Sequence, residues 1–259
     1  MPPRLLIPIV AFALGLLGAG LAQAELSQQG NLRISFSGGF TPHSLPREEP
    51  APITVHVRGA ISTTDGSHPP AVRRIEIAIN RNGQLTTAGL PSCTSARLQS
   101  TSSEEAIKRC GPSLVGRGSF GADVQFPGSA PVPASGRMLA FYGSRQSQPA
   151  LLLHLYAATP VRTTFVLPLK ISRQAKGQFG TLLSARIPTL AGGLGSVTEI
   201  DLTVGRTYNF RGQRRSFISA SCAAPSGFGV GIFPLARGTF SFADGRSLKT
   251  TLARACRVR

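Results

Sequence analysis

The sequence alternates polar and apolar side chains at Arg74-Ile75-Glu76-Ile77-Ala78-Ile79, so that every second residue falls on one face of an extended chain. The same period of two recurs at residues 53–57 and 200–204. Residues 151–156 and 165–169 are almost entirely apolar, as expected of strands covered on both faces. Short runs of this kind predict an all-β protein, and their spacing favours an antiparallel β-sandwich.

Turn and helix signals separate these runs. Asn82-Gly83 and Asp244-Gly245 predict tight hairpins, because both pairs accept the positive φ angles that such turns need. One short helix is expected just before Cys110-Gly111-Pro112, which would end it. Its start is marked by Ser102 and Glu105, which have the spacing of a capping box.

A faint internal repeat relates two parts of the chain. Residues 72–80 resemble residues 197–205, and residues 116–120 resemble residues 236–240. The competing explanation is that alternating strands resemble one another by chemistry alone. If the repeat is real, the two similar halves pack together on one core, because no clean linker separates them. These halves would be residues 25–130 and 131–259.

The first 24 residues have the organisation of a secretory signal peptide. Arg4 supplies the positive start, residues 5–21 form an almost unbroken apolar run, and Ala22-Gln23-Ala24 fits a small-x-small cleavage site. The alternative is a membrane anchor, but the run is shorter than the ~20 residues that a spanning helix needs. We therefore expect residues 1–24 to be removed and the rest to be secreted or held in the cell envelope.

Four cysteines lie in the expected mature chain, namely Cys93, Cys110, Cys222 and Cys256. An even number in an exported protein predicts two disulfides. We favour Cys93 with Cys110 and Cys222 with Cys256, because each pair brackets one compact stretch of sequence. A zinc site is disfavoured because the chain has no Cys-x-x-Cys or Cys-x-x-His pair. No metal or other cofactor is expected.

Basic residues far outnumber acidic ones, with 28 Lys and Arg against 11 Asp and Glu and a net charge of +17. The excess lies in residues 131–259, which carry seventeen basic and three acidic residues. The candidate binding residues form two clusters. They are Arg206, Arg211, Arg214 and Arg215 around an expected hairpin tip, and Lys170, Arg173 and Lys176. Neighbouring like charges suit an anionic polymer or an acidic lipid surface. GC-rich coding, which favours arginine, is the competing explanation.

Residues that often carry chemistry have simpler explanations in this sequence. Residues 116–121 match G-x-G-x-x-G, but strand-like residues follow instead of a helix, which predicts a bulge or close strand packing and not a phosphate loop. His154 lies in an apolar run, where a buried, hydrogen-bonded imidazole is more common than a catalytic base. Glu199 and Asp201 share one strand face, and pairing with arginine is expected in so basic a half.

Three stretches resemble a group of predicted secreted proteins of unknown function from high-GC bacteria. They are residues 110–120 (CGPSLVGRGSF), 191–208 (AGGLGSVTEIDLTVGRTY) and 219–228 (SASCAAPSGF). The resemblance spans nearly the whole mature chain. It implies an exported β protein with paired cysteines, and it implies no activity and no site residues.

The sequence supports three functional hypotheses. The first is a non-enzymatic cell-surface binding or structural module whose basic C-terminal half contacts an anionic envelope glycopolymer or an acidic lipid surface, with nucleic acid disfavoured as a partner. The second is an extracellular hydrolase that uses His154 with a carboxylate. The third is a subunit of a surface assembly, which would expose an apolar strand edge or patch.

Overall fold

The computed structural model of the protein describes residues 24–126, 128–159, 161–188 and 195–259. The strands are β1 (Glu25–Gln29), β2 (Leu32–Thr41), β3 (Ser44–Leu45), β4 (Ala51–Pro52), β5 (Thr54–Thr63), β6 (Val72–Asn80), β7 (Gly83–Leu85), β8 (Cys93–Thr94), β9 (Leu114–Val124), β10 (Val132–Arg145), β11 (Gln148–Thr159), β12 (Thr163–Arg173), β13 (Phe179–Arg186), β14 (Gly195–Val204), β15 (Thr207–Phe210), β16 (Gln213–Ser216), β17 (Ile218–Ala220), β18 (Val230–Phe242) and β19 (Ser247–Val258). The helices are α1 (Ser95–Leu98) and α2 (Ser103–Cys110), and a single 3-10 turn (Gly111–Ser113) follows α2.

Fourteen strands form one continuous curled sheet. Its order is β1-β2-β5-β14-β9-β10-β11-β12-β13-β6-β18-β19-β3, and β8 pairs with β10 beside this path. Neighbours are antiparallel except for the short β3 and β8. The long strand β19 also packs against β1 and β2, so the sheet curls round on itself. Two small sheets, β15-β16 and β4-β17-β7, accompany it. The all-β prediction is confirmed, but this pairing does not establish the two separate packed sheets of a sandwich.

The apolar strand β11 separates two hydrophobic cores. Leu151 belongs to the main core together with Phe36 and Leu252. Leu152 belongs to a second core, with Phe141, that lies under the helices. Because successive side chains of a strand point to opposite faces, β11 is covered on both sides. This confirms the expectation drawn from its almost entirely apolar sequence.

The helices form a small cap over β10, β11 and β12. The predicted helix is α2, and its capping box is complete: the Glu105 backbone N–H donates to the Ser102 hydroxyl over 3.2 Å, and the Ser102 N–H donates to the Glu105 carboxylate over 2.9 Å. The single turn α1 was not expected. Thr94 at its start makes no capping bond through its side chain, so the usual sequence signal is lacking.

The sequence predicts some of the turns between strands and misses others. Asp244-Gly245 lies in the β18–β19 hairpin as predicted, with Gly245 at φ +86°. The prediction of a hairpin at Asn82-Gly83 is wrong, because β6 and β7 do not pair with each other. Strand β7 pairs with β17 instead. The β10–β11 hairpin turns at Gln146 and Ser147, with φ +50° and +62°, although neither residue is a glycine.

Both predicted disulfides are present. Cys93 is bonded to Cys110, which closes the helical cap, and Cys222 is bonded to Cys256 on β19. Two bridges fit an oxidising compartment. No helix among the described residues is both long and apolar enough to span a membrane. The predicted signal peptide, residues 1–24, lies outside the described residues except for Ala24.

The repeated segments pair in matching registers, each with a segment from the other part of the chain. In the β6–β18 pair the partners include Ile75 with Phe240, Ile77 with Gly238 and Ile79 with Ala236. In the β14–β9 pair the corresponding partners are Ile200 with Phe120, Leu202 with Gly118 and Val204 with Gly116. The sequence likeness is therefore matched by a likeness in strand pairing. Duplication of the two halves, residues 25–130 and 131–259, stays a prediction.

Candidate anion-binding surface

One end of the curled sheet collects most of the candidate binding residues. Antiparallel neighbours alternate in direction, so the chain enters and leaves the strands at this end through residues 41–53, 81–92, 111–113, 145–148, 173–178, 205–229 and 257–259. We call these segments the basic end. Their cations are Arg47, Arg81, Arg145, Arg173, Lys176, Arg206, Arg211, Arg214, Arg215, Arg257 and Arg259, and their acids are Glu48 and Glu49. Both predicted basic clusters thus reach the same end of the molecule.

The cations of the basic end have no carboxylate partners within the described part of the chain. The ion pairs that the structure contains all lie elsewhere: Arg58 and His56 with Asp201, Arg74 with Glu76, Arg137 with Glu104, Arg246 with Asp244, and Arg254 with Glu25. Acidic residues therefore offset part of the positive charge in the middle and at the opposite end of the sheet, and almost none of it at the basic end. Positive charge is left uncompensated at the basic end, where it acts on any anion that approaches.

The hairpin β15–β16 carries the predicted arginine tip. Its turn is Arg211-Gly212, with φ +53° and +74°, as a two-residue turn of the type favoured in hairpins requires. The guanidinium groups of Arg211 and Arg215 lie 5.2 and 5.3 Å from the centre of the Phe210 ring. Arg214 is exposed. The hairpin thus presents three arginines, two of them ordered by one aromatic ring.

The base of this hairpin is fixed to the loop that follows β7. The Tyr208 hydroxyl donates to the carbonyls of Thr86 and Ala88, over 3.2 and 3.0 Å, and burial raises the pKa of Tyr208. Phe210 packs on Gly89, where a Cβ atom would stand only 2.2 Å from the ring. The hairpin is therefore held in place and does not have to be ordered by a ligand.

Arg206 has a different role from the arginines of the tip. It is half-buried, and its guanidinium donates to the carbonyls of Gly111 and Leu114 over 3.1 and 2.8 Å. It joins the start of the hairpin to the end of the helical cap. Its hydrogen-bonding groups serve the protein's own backbone, although its charge still adds to the basic end. The sequence gives no sign of this difference between Arg206 and Arg211.

A groove lies between the helical cap and the outer face of β12, β13 and β6, and Lys170 lines it. We call it the basic groove. Its volume is about 690 Å³, and its charged lining residues are Arg74, Arg145, Lys170 and Arg186. Arg74 is paired with Glu76, whereas the other three make no ion pair with any described residue. Polar neutral side chains, including Ser95, Gln99 and Gln148, complete the lining. The groove offers cations and amides to an anionic ligand.

Arg173 and Lys176 lie at the β12–β13 connection and are exposed. Arg81 fixes the path of this connection, because its guanidinium donates to the carbonyls of Gln174 and Gly177 over 3.2 and 3.0 Å. Arg145, at the end of β10, belongs to both the basic end and the basic groove. The two surfaces are therefore continuous through Arg145.

His154 is fully buried beneath the helical cap. Its Nε2 atom lies within hydrogen-bonding distance of the Thr101 hydroxyl and carbonyl. Burial lowers the pKa of His154, which therefore stays neutral at physiological pH. A catalytic base must reach its substrate, so this geometry offers no support for the hydrolase hypothesis.

Asp201 lies on the outer face of β14, where it accepts hydrogen bonds from Arg58 and His56. The His56 contact is 2.9 Å, and the Arg58 contacts are 2.6 and 2.8 Å. These bonds hold the pKa of Asp201 below its usual range. The expected pairing with arginine is thus present for Asp201, whereas Glu199 makes no ion pair with a described arginine. His56 is an additional partner of Asp201 that only the β5–β14 register reveals. Glycine-rich residues 116–121 lie within β9, as expected. No group of described His, Cys, Asp or Glu residues is arranged to hold a metal.

No family model, curated protein or solved structure matches the chain. The resemblance to secreted proteins of high-GC bacteria stays a prediction.

Proposed function

We propose that the protein is an exported, non-enzymatic binding module that attaches anionic envelope glycopolymers to its basic end. The observation that carries the proposal is the uncompensated charge at this end, where the cations have no carboxylate partner while the described ion pairs all lie elsewhere. A surface of one sign concentrates counter-ions of the other sign and speeds their capture.

The spread of the cations favours a polymer over a small anion. The hairpin tip, the β12–β13 connection and the basic groove are separate elements, yet all reach one end of the sheet. A chain of repeating phosphate, sulfate or carboxylate groups contacts several such elements at once, and each further contact is then intramolecular. Arginine dominates the set, and its planar guanidinium binds these groups with two parallel hydrogen bonds.

The expected export of the protein favours a binding partner in the cell envelope. Two disulfides fit an oxidising compartment, and the first 24 residues have the pattern of a signal peptide. A polyanion outside the cytoplasm is most simply a glycopolymer of the envelope. The buried position of His154 favours a binding role over a hydrolytic one.

Heparin chromatography of three variants with equal charge tests the proposal. The first removes the hairpin arginines (Arg211→Ala, Arg214→Ala, Arg215→Ala), and the second removes the unpaired groove cations (Arg145→Ala, Lys170→Ala, Arg186→Ala). The control removes three exposed cations outside both surfaces (Lys108→Ala, Arg162→Ala, Lys249→Ala). Because each variant loses three positive charges, non-specific attraction falls equally in all of them.

We expect the hairpin and groove variants to elute from heparin at clearly lower salt than the control variant. The reason is that an organised site loses specific contacts, whereas the control loses only overall charge. Equal shifts in all three variants would show that net charge alone causes retention, and the proposal would then be wrong. Circular dichroism of each variant checks that the fold is kept.

A further inference from the structure

An apolar ridge stands out from the basic end at the start of β18. Phe228, Val230 and Ile232 are 64%, 51% and 77% exposed. Val230 and Ile232 are two residues apart on one strand, so they point to the same side, while Gly231 and Phe233 between and beside them face inward. Three large apolar side chains are thus gathered on a single short segment. Isolated exposed apolar residues are ordinary, but a contiguous group marks a contact surface.

The protein holds this ridge outward. The Arg47 guanidinium donates to the carbonyls of Ala224, Pro225 and Phe228, which fixes the loop that leads into β18. The disulfide from Cys222 to Cys256 ties the same loop to β19. These two restraints fix the loop, while strand pairing with β19 and the burial of Phe233 keep Val230 and Ile232 on the outer side. A preformed apolar surface of this kind loses little conformational entropy when it binds a partner.

Basic residues lie beside the ridge. Val230 is directly opposite Arg257 in the β18–β19 register, and Ile232 is opposite Ala255. Directly opposite residues share one face, so the exposed Arg257 flanks the ridge, and Arg259 follows two residues later. The neighbouring positions on this face of β19 carry no acidic residue, and the two acids of the basic end, Glu48 and Glu49, follow Arg47 in the β3–β4 connection. The surface therefore combines apolar side chains that project outward with guanidinium groups at their side.

We propose that the apolar ridge docks the protein onto an anionic lipid bilayer. Phe228, Val230 and Ile232 enter the boundary between headgroups and acyl chains, and Arg257 and Arg259 bind lipid phosphates. Apolar side chains with adjacent cations are the combination that binds peripheral proteins to acidic membranes. The choice of a lipid partner rests on this charge complementarity. The inference goes beyond glycopolymer binding and does not depend on it: Arg257 and Arg259 also belong to the basic end, but the apolar side chains of Phe228, Val230 and Ile232 contribute nothing to the binding of a polyanion.

Cosedimentation with lipid vesicles tests the inference. The probes are vesicles of phosphatidylglycerol mixed with phosphatidylcholine, and vesicles of phosphatidylcholine alone. The ridge variant is Phe228→Ser with Ile232→Ser. The matched control is Phe126→Ser with Val161→Ser, two apolar residues that are 52% and 70% exposed in the β9–β10 and β11–β12 connections at the opposite end of the sheet. Because all four side chains are exposed, these substitutions leave the core intact.

We expect wild-type protein and the control variant to sediment with the anionic vesicles and the ridge variant to bind them at least about tenfold more weakly. Binding to phosphatidylcholine alone should be weak throughout. Two results would overturn the inference. One is equal binding of the ridge and control variants. The other is a wild-type oligomer that dissociates in the ridge variant, since the ridge would then be covered by a second copy.

The two proposals fail separately. The ridge variant should keep the wild-type elution from heparin, whereas the hairpin variant should lose heparin retention and keep most of its binding to vesicles. If heparin retention is non-specific but the ridge variant still loses vesicle binding, only the glycopolymer proposal is wrong. If the ridge variant instead keeps vesicle binding while the hairpin variant loses it, charge alone drives adsorption and the ridge has no docking role.

Discussion

The Nε2 atom of His154 lies 3.0 Å from the hydroxyl and 3.1 Å from the carbonyl oxygen of Thr101. The Thr101 hydroxyl donates to the Leu98 carbonyl over 2.7 Å, so the hydrogen on Nε2 is donated to Thr101. The Nδ1 atom is buried without a hydrogen-bonding partner in the described residues. A proton on Nδ1 would therefore be a buried donor with no acceptor, which agrees with the lowered pKa of His154.

We expect acid to destabilise the protein through His154. Its folded-state pKa lies below 6.5, the pKa of an unperturbed histidine side chain. Below pH 6.5 the unfolded chain therefore binds a proton that the folded chain does not. Stability should consequently be complete above about pH 6.5 and fall as the pH drops from there towards the folded-state pKa. Urea unfolding of wild type and His154→Gln at several pH values measures this. The variant should be less stable at neutral pH but lose less stability on acidification, and parallel pH profiles would contradict the assignment.

Gly118 permits the close approach of β9 to β14. A Cβ atom at this position would lie 1.9 Å from the Asp201 carbonyl oxygen, whereas a Cβ at Gly39 would have nothing within 4 Å. Gly118→Ala should therefore cost about 1–3 kcal/mol of the free energy of unfolding, and Gly39→Ala should change it by less than about 1 kcal/mol. Equal effects in a denaturant titration would show that close packing is not the reason for the glycine.

The two disulfides should contribute similar but unequal stability. They close loops with sequence separations of 17 and 34 residues. The chain-entropy model gives roughly 3 kcal/mol for the first and about 4 kcal/mol for the second. Chemical unfolding of Cys93→Ala/Cys110→Ala and Cys222→Ala/Cys256→Ala checks these values. Loss of the first bridge should also loosen the helical cap, seen as faster hydrogen exchange in α2, while loss of the second should leave α2 protected.

The two parts of the chain should not fold apart from each other. Strand β6 has β13 and β18 as its neighbours, and β14 has β5 and β9, so each part places one strand between two strands of the other. We expect fragments 24–146 and 147–259, divided in the Gln146-Ser147 turn, to lack cooperative unfolding when separate and to regain it when mixed. Each disulfide stays within one fragment. A separate fragment with a cooperative thermal transition would contradict this interlocked pairing.

Local features were predictable from the sequence because local chemistry determines them. The capping box of Ser102 and Glu105 needs only residues three apart, and the strands need only alternation. The Gln146-Ser147 turn was missed because neither residue is one that usually accepts positive φ. The Asn82-Gly83 hairpin was wrongly expected because a turn signal does not say which strands pair after it.

The candidate site depends on long-range pairing and was only partly predictable. The sequence identified Arg211 and Arg173 as members of two basic clusters, but only the order of the strands brings both to one end of the sheet. Arg206 and Arg211 belong to the same basic cluster of the sequence. Only Arg206 donates hydrogen bonds to distant backbone carbonyls, which gives it a structural role. The apolar ridge at Phe228 and Ile232 became visible only through exposure, since similar residues elsewhere in the strands are buried.

The affinity for dextran sulfate, compared with uncharged dextran of equal length and measured over a range of salt, is the decisive measurement for polyanion binding at the basic end. We expect wild-type protein to bind dextran sulfate only, and the logarithm of the binding constant to fall steeply with the logarithm of salt concentration. Removing Arg211, Arg214 and Arg215 should make this slope shallower. The control without Lys108, Arg162 and Lys249 should keep a steeper slope than the hairpin variant. Equal affinity for both polymers, or one slope for all three proteins, would contradict polyanion binding at the basic end.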